Sequence, residues 1–235
     1  MKIAICTPHY ADVHAYFALS LVSMVQSTVQ PGRIVFNGET IVPKIEMFMR
    51  SSSALGTVRN LLVKDAIDWG ANYLLWADAD HSFPQDALIR LLSHNLPVVG
   101  VNYPGRGLNN YPTAIGMDYR TLWTTEEMAN NGEVSQVLAL GLGLCLMDMN
   151  IFDLLHEQAI AAGNENFWPL FAFQPVPGHI EGIGEDQYFF GKLEQAGTGV
   201  FVDHALSWSI GHASQKILTN ADALLQKDRS TGETT

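Results

Sequence analysis

The segment Tyr73-Leu74-Leu75-Trp76-Ala77-Asp78-Ala79-Asp80 decides how the rest of the chain is interpreted. Its apolar part is too short for a membrane helix, ends in two carboxylates and is followed by His81-Ser82-Phe83-Pro84. This pattern is typical of a buried strand that delivers acids to the carboxyl end of an open α/β sheet, where ligands bind. Because side chains of an extended segment repeat every two residues, we expect Asp78 and Asp80 to face one cation. The alternative is that Asp80 only caps the following helix.

Composition limits the classes of protein that fit. The 235 residues are 47% hydrophobic and carry a formal net charge of −11, which indicates a globular protein without a basic footprint for nucleic acid or anionic membranes. Small-molecule or neutral partners fit better. Cys6 and Cys145 lie in apolar, strand-like segments, which predicts buried free thiols in a reducing compartment. Because no signal-peptide pattern or 18-residue apolar run is present, we expect a cytoplasmic protein.

Strand and helix patterns alternate along the first half of the chain. Apolar runs predict strands, and apolar residues at helical spacing predict helices. The predicted strands cover residues 2–7, 33–37, the segment from Tyr73, and 97–103; the predicted helices cover 12–30, 54–69 and 84–94. Repeated βα units of this kind form a mostly parallel sheet with right-handed crossovers.

The second half is less regular. Strands are predicted at 133–140, 142–147 and 200–203, and helices at 150–162 and 184–197. Residues 163–183 contain three prolines and three glycines near Trp168 and several phenylalanines. A connection of this length is more often a lid or a binding loop than a spacer, and aromatic faces suit sugar rings. We expect a single domain over residues 1–225 and a disordered tail over 226–235.

Six short motifs follow one another along the chain. They are Thr7-Pro8-His9-Tyr10, Arg59-Asn60, Asp78-Ala79-Asp80, Gly141-Leu142-Gly143, Glu185-Asp186 and Gly211-His212. Their order resembles the order found in nucleotide-sugar glycosyltransferases of the GT-A fold. The chain resembles the family-2-like members from about residue 3 to residue 213, with local similarity to animal glucuronyltransferases and yeast mannan-type mannosyltransferases. The resemblance implies an α/β GT-A fold, in which helices flank a mostly parallel twisted sheet with a Rossmann-like nucleotide-binding half and an acceptor half.

The resemblance also implies an activity and a cofactor. The activity is transfer of a sugar from a UDP- or GDP-linked donor to a hydroxyl of a glycan or other acceptor. A divalent metal would stabilise the departing diphosphate, and we expect Mn²⁺ rather than Mg²⁺ because a histidine ligand is implied. By the resemblance, Asp80 ligates this metal, Asp78 contacts the ribose or a metal-bound water, and His212 completes the metal site. The alternative for His212 is an ordinary surface histidine.

Further residues receive roles from their places in the motifs. Tyr10 resembles the aromatic that stacks on the base, and Arg59 resembles the arginine near the diphosphate. Their alternatives are ordinary packing and a solvated helix charge. The other nucleotide-binding positions carried over from the motifs are Thr7, Pro8 and Gly143.

Asp186 resembles the general base of the inverting members, which removes the proton from the acceptor hydroxyl. Glu185 would orient that base or touch the acceptor. The alternative is that two acids in the first turn of a helix only complement its dipole, a contribution of about 0.3 to 1 kcal/mol.

The chain also departs from the family. Val35-Phe36-Asn37-Gly38-Glu39 stands where many members carry an acidic segment for the base, so the base stays open. A C-terminal histidine ligand is common among retaining members; we favour inversion, but both outcomes remain.

Three rival functions fit the motifs less well. Haloacid-dehalogenase-type phosphatases carry their Asp-x-Asp near the N-terminus. Sugar nucleotidyltransferases have a glycine- and lysine-bearing loop where Thr7-Pro8-His9-Tyr10 stands. A non-catalytic carbohydrate-binding protein is favoured only by Trp168 and the nearby phenylalanines.

Overall fold

A computed structural model describes residues 1–10, 12–36, 38–106, 110–164, 167–178, 182–214, 217–221 and 223–224. The expected tail over 226–235 lies outside these residues. The helices are α1 (Ala15–Thr28), α2 (Leu55–Trp69), α3 (Ala87–Ser93), α4 (Glu126–Asn130), α5 (Asn150–Ala161), α6 (Glu185–Gln195) and α7 (His204–Ser207). The strands are β1 (Lys2–His9), β2 (Ile34–Phe36), β3 (Glu39–Ile41), β4 (Lys44–Ser51), β5 (Tyr73–Ala77), β6 (His81–Ser82), β7 (Val98–Gly100), β8 (Ile115–Gly116), β9 (Val134–Ala139), β10 (Leu144–Asp148), β11 (Val200–Asp203), β12 (Gly211–Ala213) and β13 (Ile217–Leu218).

A central sheet of eight strands organises the molecule, in the order β4-β1-β5-β10-β7-β11-β9-β8. The neighbours β4, β1 and β5 are parallel, and so are β7 and β11. Strand β10 runs antiparallel between β5 and β7, and β9 runs antiparallel to β11. The expected α/β class with a mostly parallel sheet is therefore confirmed, with an antiparallel strand inserted near its middle.

Helices cover both faces of this sheet, as side-chain alternation requires. Along β5, Leu74 and Trp76 point into one core layer with α2, α5 and α6, whereas Leu75 and Ala77 point into the other layer with α1, α3 and α7. All four side chains are fully buried. Strand β5 therefore lies in the middle layer of a three-layer core, and its carboxyl end lies at the edge of the sheet.

A small second sheet lies at that edge. Its order is β13-β12-β6, and β6 follows directly on the turn that contains Asp78-Ala79-Asp80. The antiparallel register pairs His81 with His212. Directly opposite residues on one face of such a pair have their side chains side by side, so this pairing brings together two histidines that are distant in sequence.

Most predicted elements are present, and the differences have physical causes. The helix predicted at 54–69 ends at Trp69, and Gly70 follows with φ 72°, the left-handed conformation expected of its cap. The strand predicted at 33–37 is shortened to β2 and pairs only with β3, outside the central sheet. Its place beside β1 is taken by β4, which the sequence analysis missed because this edge strand is largely exposed and charged residues flank its short apolar stretch Met47-Phe48-Met49.

The two cysteines and the lengths of the helices concern the predictions about compartment and membrane. Cys6 and Cys145 are both buried and free, and burial raises the pKa of each thiol. Helix α2, with 15 residues, is the longest helix described, and none in the described part of the chain has the length and apolarity to cross a bilayer.

Candidate active site

The two carboxylates after β5 have different partners. The backbone N–H of Asp78 donates to the carbonyl of Gly143 at 3.0 Å, which ties the end of β5 to the strand beside it. Ala79 and Asp80 then form a turn, and β6 starts at His81. The carboxylate of Asp78 contacts Arg59 and that of Asp80 contacts His81, whereas both residues line one cavity, so the expectation that both acids face one cation stays a prediction. Helix α3 begins only at Ala87 and its N-cap is Asp86, which excludes Asp80 as its cap.

Asp80 lies against the two paired histidines. Its Oδ1 is 2.9 Å from His81 Nδ1, and its Oδ2 is 3.5 Å from His212 Nε2. The imidazole rings stack with centroids 4.3 Å apart and planes 13° apart. One ligand atom from each of the three side chains lies within 4.8 Å of the others, an arrangement that suits a metal ion. We call Asp80, His81 and His212 the histidine cluster.

The backbone orients the ring of His212. Its Nδ1 lies 2.8 Å from the carbonyl oxygen of Pro104, so this nitrogen carries a proton and donates it. The other ring nitrogen, Nε2, then faces Asp80 at 3.5 Å. A metal-ligating histidine is usually oriented in this way, by a hydrogen bond from its other ring nitrogen.

His81 is 1% exposed, and neither of its ring nitrogens makes a hydrogen bond of good geometry, despite the short distance to Asp80. Burial lowers the pKa of His81, which favours the neutral imidazole that binds metals. For Asp80, burial acts to raise the pKa, but the nearby His212 and His81 nitrogens outweigh it and hold the pKa below its usual range. An ionised carboxylate beside buried, unpartnered imidazole nitrogens is a donor set that fits a divalent cation.

Tyr103 and Gly143 form the wall behind these rings. Tyr103 meets the rings of His81 and His212 edge-on, with centroids 4.3 and 5.3 Å away. Its hydroxyl accepts a hydrogen bond from the N–H of Gly143 at 3.0 Å. A Cβ at position 143 would collide with His81 Nε2 and would lie 2.8 Å from Tyr103 Cε1, so only glycine leaves room for the imidazole.

Asp78 belongs to a second cluster, built around a buried cation. Arg59 is 3% exposed, and its Nη2 lies 3.2 and 3.1 Å from the two carboxylate oxygens of Asp78. Its Nε lies 3.6 Å from Glu185 Oε1, and its guanidinium lies 5.0 Å from the centroid of the Trp76 ring. Although burial acts to lower it, the pKa of Arg59 is raised by Asp78 and Glu185. We call Arg59, Asp78 and Glu185 the arginine cluster.

Asp186 follows Glu185 in the first turn of α6. Its side chain is half-buried and accepts a hydrogen bond from the N–H of Gln187 at 2.8 Å. Burial, and then the neighbouring Glu185, raise the pKa of Asp186. A raised pKa makes the ionised carboxylate a better proton acceptor than an ordinary aspartate.

A cavity of about 460 Å³ opens beside the histidine cluster. Its walls come from the end of β1, the segment before α2 and the turn after β5. The lining includes Pro8, Tyr10, Asp78, Asp80 and Arg106. Tyr10 is 76% exposed. Arg106 Nη2 lies 2.9 Å from Asp80 Oδ2, so one cation already faces the histidine cluster from the solvent side.

The residues assigned from the sequence thus fall into four groups. Pro8, Tyr10, Asp78 and Asp80 line the cavity, Glu185 and Asp186 start α6, and His212 pairs with His81. Thr7, Arg59 and Gly143 are buried rather than on the cavity wall.

Sequence reasoning missed three residues of this site. His81 carried a signal, its position next to Asp80, but strict alternation points it away from that side chain. Arg106 lay in a predicted turn without a distinguishing motif. Tyr103 looked like an ordinary strand residue.

Sheet order, flanking helices and acids at the carboxyl end of β5 define the α/β fold of the GT-A type that the motifs predicted. The chain is similar to A197 from STIV, with a TM-score of 0.56 and 13% identity over 93% of this chain and 94% of that chain. At this identity the likeness shows the shared fold alone.

Two further solved structures show weaker likeness. GalNAc-T7, solved with UDP, GalNAc and Mn²⁺, has a TM-score of 0.49 and 12% identity over 90% of this chain and 43% of that one. Residues 1–349 of S. aureus TarS in complex with UDP-GlcNAc have a TM-score of 0.43 and 15% identity over 86% of this chain and 56% of that one. No protein-family model and no curated protein sequence matches the chain.

Proposed function

We propose that the protein is a metal-dependent glycosyltransferase that moves a sugar from a nucleoside-diphosphate sugar to an acceptor hydroxyl. The observation that carries the proposal is the histidine cluster, whose carboxylate Asp80 lines the cavity beside β5 and contacts both imidazoles. A cavity of about 460 Å³ next to such a donor set suits a small ligand whose charge needs a cation; ligand pockets typically span about 300 to 1,000 Å³.

Asp80, His81 and His212 would hold the metal in this proposal. A bound divalent ion supplies Lewis-acid stabilisation of the negative charge that develops on the leaving diphosphate. We favour Mn²⁺ over Mg²⁺ because two of the three side chains are imidazoles and Mg²⁺ prefers oxygen ligands more strongly than a first-row transition metal does. Asp78 is not included among the ligands, since its carboxylate already faces Arg59.

The cavity would receive the donor. Tyr10 offers an exposed aromatic face on which a base can stack, and Asp78 offers a carboxylate for the ribose hydroxyls. Arg106, at the cavity wall and 57% exposed, would exchange its contact with Asp80 for one with a phosphate oxygen. Both UDP- and GDP-linked donors remain candidates.

Asp186 would act as the general base of an inverting reaction. Its carboxylate would take the proton of the acceptor hydroxyl as the hydroxyl oxygen bonds to the anomeric carbon and the bond from that carbon to the diphosphate breaks. The raised pKa of Asp186 supports this role, because a base is more effective when its pKa approaches the working pH.

Arg59 would be a positioning residue in this scheme rather than a ligand of the diphosphate. Its guanidinium is buried and engaged by Asp78 on the donor side and by Glu185 on the acceptor side. One cation would thereby hold the carboxylate near the ribose and the acid next to the base in a fixed relative arrangement.

The decisive experiment is a thermal-shift titration with UDP and GDP, each with Mn²⁺, Mg²⁺ or Zn²⁺ and with no metal. A ligand present at about 100 times its Kd stabilises a protein by about 2.7 kcal/mol, so a true donor nucleotide produces a clear shift that needs metal. The variant Asp80→Asn should lose the metal-dependent shift. Asp68→Asn on the exposed side of α2 is the matched control and should keep it.

Absence of a shift with both nucleotides and all three metals would contradict the proposal. So would a shift that Asp80→Asn leaves unchanged. Metal-dependent release of free nucleoside diphosphate from a donor sugar separates the enzyme from a non-catalytic carbohydrate-binding protein.

A further inference from the structure

A second cavity, of about 490 Å³, lies between α5, α6 and the segment 167–170. Its lining combines aromatic rings with side-chain amides: Phe167, Trp168, Tyr188, Gln158, Asn164 and Gln195. None of its lining residues lines the cavity beside the histidine cluster. This second cavity is therefore separate from the cavity of the candidate active site.

Helix α6 connects this cavity to the proposed general base. Glu185, Tyr188 and Lys192 are three and four residues apart, which places them on one face of the helix. At about 1.5 Å per residue, the cavity side chains from Tyr188 to Gln195 extend along about 10 Å of this face. This face also carries Glu185, the neighbour of Asp186 in the first turn, so a long ligand that extends from the cavity along the helix would approach that turn.

The chemistry of the lining fits a neutral sugar. The Phe167 and Trp168 rings are 4.8 Å apart and tilted by 50°, so they form an angled aromatic wall rather than a closed stack. Aromatic faces provide apolar contact for the C–H faces of sugar rings, and amides both donate and accept hydrogen bonds with hydroxyls.

Charge argues against other ligands. Among the described residues that line the cavity, Lys192 carries the one formal charge, and its Nζ lies 5.0 Å from the centroid of the Tyr188 ring. A polyphosphate needs more cations than this, and an acyl chain leaves several amides without partners. The volume also exceeds what one small polar group fills.

We propose that this cavity binds a neutral oligosaccharide segment of the acceptor, several sugar units away from the hydroxyl that is glycosylated. The inference rests on the proposed glycosyltransferase function and deepens it. It makes the acceptor a glycan chain rather than a small alcohol or a protein side chain. Trp168 supplies the principal ring contact, and Gln158 and Gln195 supply hydrogen bonds from exposed positions on α5 and α6.

The test uses ladders of neutral oligosaccharides, from one to six units of mannose, glucose, galactose or N-acetylglucosamine. Binding to the full chain is measured by calorimetry or ligand-observed NMR in the absence of donor. Affinity for at least one ladder should rise with length, and Trp168→Ala should weaken binding of the long members about tenfold, as loss of a central aromatic contact does. Binding of UDP or GDP with metal should not change in this variant.

Controls keep the result independent of folding. Phe173→Ala removes an aromatic of the same connection that is 65% exposed and outside the cavity, so it should leave oligosaccharide affinity unchanged. If Trp168→Ala melts early, Gln158→Ala combined with Gln195→Ala replaces it, because both side chains are exposed and their loss should still weaken binding several-fold.

Two outcomes overturn the inference: no ladder binds at about 10 mM, or binding is equally affected by Trp168→Ala and Phe173→Ala. Failure of the proposed function is a different result. It appears as absent nucleotide binding, while length-dependent oligosaccharide binding that needs Trp168 would still support this cavity as a sugar site.

Discussion

The two clusters at the end of β5 receive carboxylates from residues only two positions apart, yet they are built differently. In the arginine cluster, a guanidinium that is 3% exposed is engaged by two acids and lies over Trp76. In the histidine cluster, one acid faces two imidazoles, and both ring nitrogens of the buried His81 lack a well-formed hydrogen bond. The cation of the first cluster is buried within it, whereas the cation beside the second, Arg106, is 57% exposed and can be exchanged for another.

The arginine cluster is therefore suited to positioning residues, and the histidine cluster is suited to binding a ligand. A buried charge needs compensation from its surroundings, so the arginine cluster holds its members in place whether or not a ligand is present. The histidine cluster has an ionised carboxylate, and burial favours the neutral form of His81, whose lone pair gains from an added cation. Single substitutions should therefore affect the arginine cluster, the histidine cluster and the proposed base Asp186 separately.

The largest effect is expected for Asp186→Asn, which should lower turnover by about 10² to 10⁴ because it removes a positioned base. Donor affinity should change little, since the substitution leaves both clusters intact. Turnover and nucleotide affinity of the purified variant check this, with slow donor hydrolysis as the assay until an acceptor is known. Unchanged hydrolysis would count against the base role.

Stability gives an independent check on the same variant. Because burial and Glu185 raise the pKa of Asp186, its ionised form costs stability above the folded-state pKa, and this cost disappears as pH falls through that pKa. Asp186→Asn should therefore not lower Tm at neutral pH, whereas simple complementation of the helix dipole predicts a loss of up to about 1 kcal/mol. In the wild type, the rate should fall toward acid pH at a pH above the ordinary aspartate pKa of about 3.9.

The next effect concerns the arginine cluster. Arg59→Met should lower the free energy of unfolding by about 3 kcal/mol, because it leaves Asp78 and Glu185 without their cation. Arg50→Met is the matched control, since Arg50 pairs with Asp65 at 2.6 Å on the surface and such pairs contribute about 0 to 1 kcal/mol. Denaturant unfolding of both variants measures the difference. Equal losses would mean that the burial of Arg59 has no energetic consequence.

Removal of one imidazole from the histidine cluster should have a smaller effect. His212→Ala should weaken Mn²⁺ binding by about 10- to 100-fold. It should also lower the free energy of unfolding by about 1 to 3 kcal/mol, because the carbonyl of Pro104 loses its hydrogen-bond donor. Metal titration followed by calorimetry checks the loss of metal affinity. Unchanged Mn²⁺ binding would mean that His212 has a structural role and is not a metal ligand. Gly143→Ala should act in the same direction by displacing His81, whereas Gly191→Ala, with open space around its Cα, should not.

The sequence predicted the parts of this site that depend on local pattern. The apolar run from Tyr73 identified the buried strand and its terminal acids, and the first turn of α6 was found from Glu185 and Asp186. Strand β4 was missed because it is an exposed edge strand whose apolar stretch is short and flanked by charged residues.

The contacts within the site depend on distant pairing, which no local pattern encodes. His81 and His212 meet only because β6 pairs with β12. The partner of Arg59 likewise could not be chosen from sequence, since a phosphate and a carboxylate are equally good partners for a guanidinium. Its burial against Asp78 decides between them.

The smallest expected effect has the opposite sign. Arg106 is 57% exposed and lies 2.9 Å from Asp80 Oδ2, where its charge competes with any cation that approaches the histidine cluster. Arg106→Ala should therefore strengthen Mn²⁺ binding in the absence of nucleotide, by up to about fivefold, because an exposed ion pair is worth at most about 1 kcal/mol. With nucleotide present the sign should reverse, since the arginine then contributes to diphosphate binding. Paired Mn²⁺ titrations with and without UDP or GDP measure both signs, and Arg120→Ala serves as a control on an exposed arginine that does not line this cavity. Weaker Mn²⁺ binding by Arg106→Ala under both conditions would mean that Arg106 supports the cluster and does not compete for it.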